Sequence, residues 1–214
     1  GQAGNDSFDG GLGFDRLRYD SGNVPDSVSV DLATGSATAN YVSTTYTDTF
    51  TGIEWVRGSF GNDFIQGSLN ADRIQGRDGD DTLGGEGGFD RVEGEGGDDS
   101  IYLIQQDFVN GLTELGLNYV DGGSGQDELD VVFGNMTLDL TGADGGKVRN
   151  FESIDLSLGD NPGATLIVDE TAIAGLSGEA NTAIAGALGT SGLDSILVKG
   201  DANDLLEFLD GGSQ

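Results

Sequence analysis

The 214-residue chain has no cysteine and no histidine, and only two prolines. Those absences exclude a disulfide framework, a thiolate nucleophile, a zinc cluster of the usual kind, and any Ser-His-Asp or Cys-His machinery. Positive charge is scarce as well. Nine basic residues face 38 acidic ones, for a formal net charge of -29 and a pI of about 4.1. Such a surface repels nucleic acid and anionic lipid, so neither is an expected partner. Its natural small partners are cations. Long apolar runs are also missing. The longest is 164–168, so no membrane span and no signal peptide is read. The chain opens in mid-repeat at Gly1 and reads as a segment of a larger protein.

Acidity alone would suggest a solvated, disordered chain. Against that stand 36% apolar residues and a clear period. Glycine is abundant, at 39 residues. Without a strict Gly-X-Y period this is not collagen, and so many glycines in a folded chain imply tight turns with positive φ.

The period is nine residues. Its contiguous run is GSFGNDFIQ (58–66), GSLNADRIQ (67–75), GRDGDDTLG (76–84), GEGGFDRVE (85–93) and GEGGDDSIY (94–102). Two units open the chain, GQAGNDSFD (1–9) and GGLGFDRLR (10–18), and one recurs as GGSGQDELD (122–130). In every unit position 1 is Gly and position 6 is Asp. Position 8 is always apolar: Phe8, Leu17, Ile65, Ile74, Leu83, Val92, Ile101 and Leu129. Position 4 is Gly except at Asn70, and Asn is the next-best residue for a left-handed backbone.

Positions 1 to 6 read as a glycine-rich turn. Positions 7 to 9 read as a short strand whose middle residue points inward. Two units then make one coil, and units two apart stack. Ile65, Leu83 and Ile101 should form one inward ladder, with Val56, Ile74 and Val92 facing it. The core is thin, with one apolar residue per nine, and the stacked aspartates repel one another. Hydrophobic burial falls short of the conformational entropy of ordering such glycine-rich turns. A hard divalent cation, which takes six to eight carboxylate and carbonyl oxygens from flexible loops, would supply what is missing.

These units resemble the calcium-binding nonapeptide of the repeats-in-toxin (RTX, hemolysin-type) family, G-G-x-G-x-D-x-U-x. They depart from it at position 2, where only Gly11 and Gly123 are Gly. That departure should matter little if position 2 contributes a carbonyl. The resemblance implies an all-β fold: a right-handed parallel β-roll or β-helix of two nine-residue units per coil, with strand spacers and a mostly β C-terminal region. It implies Ca2+ as the cofactor, with each ion held between turns two units apart. Carried over, one site joins Ser59, Gly61 and Asp63 to Gly76, Asp78 and Asp81. A second joins Ser68, Asn70 and Asp72 to Gly85, Gly87 and Asp90. A third joins Arg77, Gly79 and Asp81 to Gly94, Gly96 and Asp99. Asp6, Asp15 and Asp127 are further candidates whose stacking partners the spacing does not identify. The resemblance also implies a secreted or cell-surface bacterial protein, exported through type I secretion machinery and folding on calcium outside the cell.

The chain divides into a truncated repeat pair (1–18), a strand spacer stacking on the roll (19–57) and the main roll (58–102). An insertion with the single repeat and a second spacer follows (103–156), then the C-terminal region (157–214). On the nonapeptide grid Glu54 and Glu152 fall at position 6, with Val56 and Ile154 at position 8. The spacer strands should therefore continue the stack, and Glu54 becomes a candidate ligand beside Asp72, with Arg57 or bare solvent as the alternative. In the tail, 164–168 and 193–199 read as strands, Asp169 as the cap of a short helix, and 200–212 as the start of another calcium-type turn. Two rival functions remain. One is a calcium-dependent polysaccharide lyase or epimerase using Arg73 and Arg91, which stack two units apart. The other is an adhesin segment whose tail holds a ligand.

Overall fold

The structure, a computed structural model, describes residues 3–104, 107–109, 114–115, 119–132, 137–141, 147–156, 164–168, 197–199 and 205–208. Among them there are strands and no α-helix. The expected cap at Asp169 lies outside the described residues. Of the expected strand 193–199, Leu197–Lys199 is described and is a strand. Of 200–212, only the strand Leu205–Phe208 is described.

Each described nonapeptide strand begins at position 7, as in Phe64–Gln66, Thr82–Gly84 and Ser100–Leu103 on one side and Arg73–Asp78 and Arg91–Gly96 on the other. Successive units alternate between two sheets, so parallel pairing joins units two apart. In the first sheet Val30, Ile65, Leu83, Ile101, Leu129, Ile154 and Val198 stand in register. In the second, Leu17, Val56, Ile74, Val92, Val120 and Val148 do the same. Rungs are about 4.8 Å apart, and alternate residues point inward. Both expected ladders are present and run further than the contiguous repeats. This is an all-β parallel β-roll.

The insertion after Leu103 changes the spacing without breaking the stack. Its described part is an antiparallel pair, Phe108–Val109 with Glu114–Leu115. Tyr119–Ser124 then rejoins the second sheet beside Arg91–Gly96. The spacer before the roll is less regular than expected. Ser27–Asp31, Ser36–Tyr41 and Thr44–Thr51 form an antiparallel meander inside the otherwise parallel first sheet. It places three strands between Ser7–Asp9 and Phe64–Gln66. The second sheet has only Trp55–Arg57 between Arg16–Arg18 and Arg73–Asp78. The extra interior is filled by Tyr19, Phe50 and the small inward residues Ala37 and Ala39. A third sheet, Thr137–Asp139, Thr165–Val168 and Leu205–Phe208, buries Leu138 and Leu166.

Leu83 is fully buried between Ile65 and Ile101, whereas Phe64, one residue before Ile65, faces solvent. Leu83→Ala should cost roughly 2–5 kcal/mol, and Phe64→Ala less than about 0.5 kcal/mol. Urea unfolding in saturating calcium tests the difference, and equal losses would contradict the inward ladder.

Candidate metal centre

The turn preceding each strand puts its position-6 carboxyl against the backbone of the coil before it. One row of acids runs Asp63, Asp81, Asp99, Asp127 and Glu152. Each amide N–H donates to the next carboxylate: Asp63 to Asp81 Oδ1 at 2.8 Å, Asp81 to Asp99 at 2.9 Å, Asp99 to Asp127 and Asp127 to Glu152 at 2.8 Å. On the other edge, Asp15 donates to Glu54 Oε2 at 3.0 Å and Asp72 to Asp90 Oδ1 at 2.8 Å. Asp127, whose partner the spacing did not identify, stacks directly on Asp99 across the insertion. Asp15 stacks on Glu54. Asp6 meets Asp48, a residue outside the nonapeptide pattern, whose other oxygen accepts from the buried Tyr19 hydroxyl. Asp107, also outside the pattern, sits above the second row and accepts from the Gly87 and Ile104 amides. Arg57 does not reach Glu54; it pairs with Asp20 and Glu95.

The position-4 residues stack as closely as backbone allows. A Cβ on Gly97, whose φ is 128°, would overlap the Gly79 carbonyl, and one on Gly88 the Asn70 carbonyl. Strand register likewise sets Asp78 beside Gly96 and Arg77 beside Glu95. The turns 58–63, 76–81 and 94–99 therefore lie over one another, as do 67–72 and 85–90. Position 2 is more than a carbonyl donor. Arg77, Glu86 and Glu95 adopt φ of 102°, 68° and 77°, a region that costs non-glycine residues about 1–2 kcal/mol. Their side chains offset part of that cost through Arg77–Glu95 and Gln75–Glu95 contacts and the Gln66–Glu86 hydrogen bond.

The turns are of two kinds. In 58–63 and 67–72, position 2 is Ser. The Ser59 amide and hydroxyl donate to Asp63, and those of Ser68 to Asp72. In the turns of Asp81, Asp90, Asp99 and Asp127 position 2 carries no hydroxyl, and Oδ2 of each aspartate is buried and accepts no hydrogen bond. Such an oxygen is costly to leave bare. A Cβ built on Gly76 would overlap both Asp81 Oδ2 and the Gly94 carbonyl oxygen. One on Gly94 would overlap Asp99 Oδ2 and the Gly122 carbonyl oxygen. Carboxylate and carbonyl oxygens thus converge on one small space with no proton donor among them, which is the donor set of calcium. The residues fit the ion.

Burial dominates the protonation of these acids. It pushes Asp81 and Asp90 up to about 8 and Asp99 and Asp127 up to about 7, with neighbouring carboxylates adding to the rise. Burial likewise lifts Asp63 to about 6, although the Ser59 and Val28 donors pull it down.

The arginines lie elsewhere. All seven are on strands of the second sheet. Arg73 and Arg91 are adjacent in register, and both pair with Glu93. Arg73 shares the Trp55 ring with Arg16, and Arg91 shares Tyr119 with Arg149. Among the described residues, neither guanidinium pairs with an acid of the two rows. A separate trio, Glu128, Asp130 and Asp155, gathers on the outer side of the first sheet. There Lys199 pairs with Glu128 and lies 4.0 Å from Asp155, and Ser100 donates to Asp130.

Two expectations follow. The raised carboxyls favour the ion-free fold while they are protonated. That contribution is fully present below the ordinary carboxylate value of about 4 and is lost as pH rises through about 8. In chelator, the far-ultraviolet β signal should therefore fall as pH is raised through this window, and calcium should remove the dependence. A signal independent of pH in chelator would contradict it. Asp99 lies between Asp81 and Asp127, so Asp99→Ala should raise the calcium midpoint of folding as much as Asp81→Ala. Asp6→Ala, on the spacer side, should shift it least, and a shift as large as that of Asp81→Ala would refute this stacking.

No curated protein matches the chain. The family model described as RTX calcium-binding nonapeptide repeat (4 copies) matches residues 1–23, 48–83 and 75–103. The matched segments hold seven of the eight units read from the sequence, while the unit 122–130 lies beyond them and stacks on the same rows. In those matched segments the chain carries RTX calcium-binding nonapeptide repeats.

Proposed function

We propose that the chain is a structural module whose folding is driven by calcium once its parent protein has left the cell. The observation that carries this reading is the series of buried carboxylate oxygens with no donor at Asp81, Asp90, Asp99 and Asp127. An ion at those oxygens would neutralise the rows and bind the coils together. Without it the chain combines a thin core with a net charge of -29. A site that exists only in the folded state makes binding free energy into folding free energy. In a calcium-poor cytosol such a chain stays extended, as passage through a type I secretion channel requires; in calcium-rich surroundings it folds.

The ions would be held at the three turn pairs named from the sequence. A fourth would lie between the turn of Asp99 and that of Asp127, where Gly97 donates to the Ser124 carbonyl. The parent protein would be secreted or displayed on a bacterial surface. The same reading makes the module a binding and structural element rather than an enzyme. A lyase needs a cationic base beside the metal, whereas Arg73 and Arg91 are committed to Glu93 and aromatic rings on the outer side of the second sheet.

Circular dichroism in chelator and then in calcium tests the proposal. The expected result is a largely disordered chain that gains β structure, with midpoints on the order of 10⁻⁴ to 10⁻³ M. Magnesium should substitute poorly, because it demands a small, regular octahedron. An identical folded spectrum in chelator and in calcium would overturn the reading.

A further inference from the structure

Asp20 lies two residues beyond the second repeat unit and has no place in the nonapeptide pattern. The Tyr19 amide donates to the Arg57 carbonyl and the Tyr19 ring is buried, which fixes the backbone there against the second sheet. The Asp20 side chain is only 3% exposed and faces three guanidiniums. Arg18 Nε donates to its Oδ1 at 2.7 Å, and Arg57 Nη1 and Arg77 Nε lie 3.3 and 3.5 Å from its Oδ2. Burial alone would raise this carboxyl, but the Arg18 hydrogen bond and the charges of Arg57 and Arg77 outweigh burial and hold it below the usual carboxylate range. Glu95 closes the group from the other side, with Arg77 Nη1 at 3.1 Å and Arg57 Nη2 at 3.8 Å. Arg57 and Arg77 are thus each held between two acids.

Position 2 of the first-row turns shows what this group does. Arg77 stands in register with Glu95, and Glu95 with Gly123. All three have positive φ, at 102°, 77° and 115°. Glycine takes that conformation freely, and other residues take it at a cost. The two residues without glycine's freedom are the two tied into the Asp20 group, and the rung beyond them carries glycine. Arg77 is also the residue whose carbonyl position 2 brings to the third expected site, beside Gly79 and Asp81. Its guanidinium is fixed on a further side by the Phe60 ring, 4.9 Å away.

We propose that Asp20 is a positioning residue for the third calcium site: by gripping the Arg77 guanidinium it holds Arg77 at positive φ, so that the Arg77 carbonyl faces the ion. The inference rests on the calcium reading of the repeats and adds to it a residue that binds no ion itself. Asp20 belongs to the spacer, so the affinity of a site inside the roll is set in part from outside the repeats. The grip does for Arg77 what the absence of a side chain does for Gly123. A merely space-filling acid would leave the coordination of the ion untouched, and the two roles can be told apart.

Europium is a hard, oxygen-seeking stand-in for calcium, and its luminescence decay in H2O against D2O counts the waters bound to it. The measurement is made on the full chain loaded with europium, beside the calcium midpoint of folding by circular dichroism. Asp20→Asn keeps the shape of the side chain and drops its charge. It should add about one water at the affected ion, because a hard ion that loses a carbonyl restores its six to eight oxygens from solvent. The calcium midpoint should rise several-fold. Asp20→Glu keeps the charge and should bring both readings back towards those of the unaltered chain. A water count in Asp20→Asn equal to that of the unaltered chain would overturn the proposal, whatever happens to stability. So would Asn and Glu variants that behave alike. If Asp20→Asn fails to fold in calcium, the double variant Asp20→Asn with Arg77→Gly decides. Glycine holds a positive φ without a grip, so folding and the water count should return, and their failure to return would refute the role given to Asp20. A chain that takes up neither calcium nor europium would overturn the calcium reading, and this inference with it.

Discussion

Like charges stacked one coil apart govern this molecule. Every coil of a parallel roll repeats the one beneath it, so a residue type kept at one position becomes a column. Apolar position 8 turns into the two inward ladders, and acidic position 6 turns into two rows of buried carboxylates. The first arrangement drives folding and the second opposes it. At Asp81, Asp90, Asp99 and Asp127 the amide-to-carboxylate hydrogen bonds between coils satisfy one oxygen and leave the other buried without a donor. A divalent cation reverses the sign of that arrangement, which is why the same geometry that destabilises the bare roll makes it a calcium module.

The serine turns show how the balance is adjusted locally. Ser59 and Ser68 give amide and hydroxyl protons to the aspartate of their own turn, so Asp63 has no bare oxygen and Asp72 has one. Where position 2 is Arg or Glu, the backbone takes a positive φ, there is no hydroxyl, and Oδ2 of the turn's aspartate accepts no hydrogen bond. Within one repeat pattern the chain thus carries turns whose aspartate meets a serine hydroxyl and turns whose aspartate keeps a buried Oδ2 without a donor. The arginines supply a separate mode of cohesion, two guanidiniums sandwiching one aromatic ring on the outer face of the second sheet, twice over.

Much of this was legible in residues. Gly at position 1, Asp at position 6 and an apolar residue at position 8 specify turn, ligand and core, because each demand is local to nine residues. The two-unit register followed from strand alternation, and the grid even placed Glu54 and Glu152 in the acid rows through Val56 and Ile154. The strain at Arg77, Glu86 and Glu95 was not legible, since a backbone dihedral forced by stacking has no signature in one unit. Asp48 and Asp107 were missed for a similar reason: they enter the rows from strands and loops that carry no repeat.

By itself the sequence determined the all-β class, the nine-residue unit, the inward ladders and the chemistry of the ligands, because these depend on residue type at fixed short spacing. Only the tertiary structure decided which coil follows which when the spacing changes. It set Asp127 on Asp99 across the insertion, since parallel pairing recognises backbone register and not chain distance. It folded the first spacer into an antiparallel meander that widens one sheet and not the other. It also decided which oxygen of each aspartate keeps a donor and which does not, a matter of a few tenths of a nanometre between neighbouring turns that no linear pattern encodes.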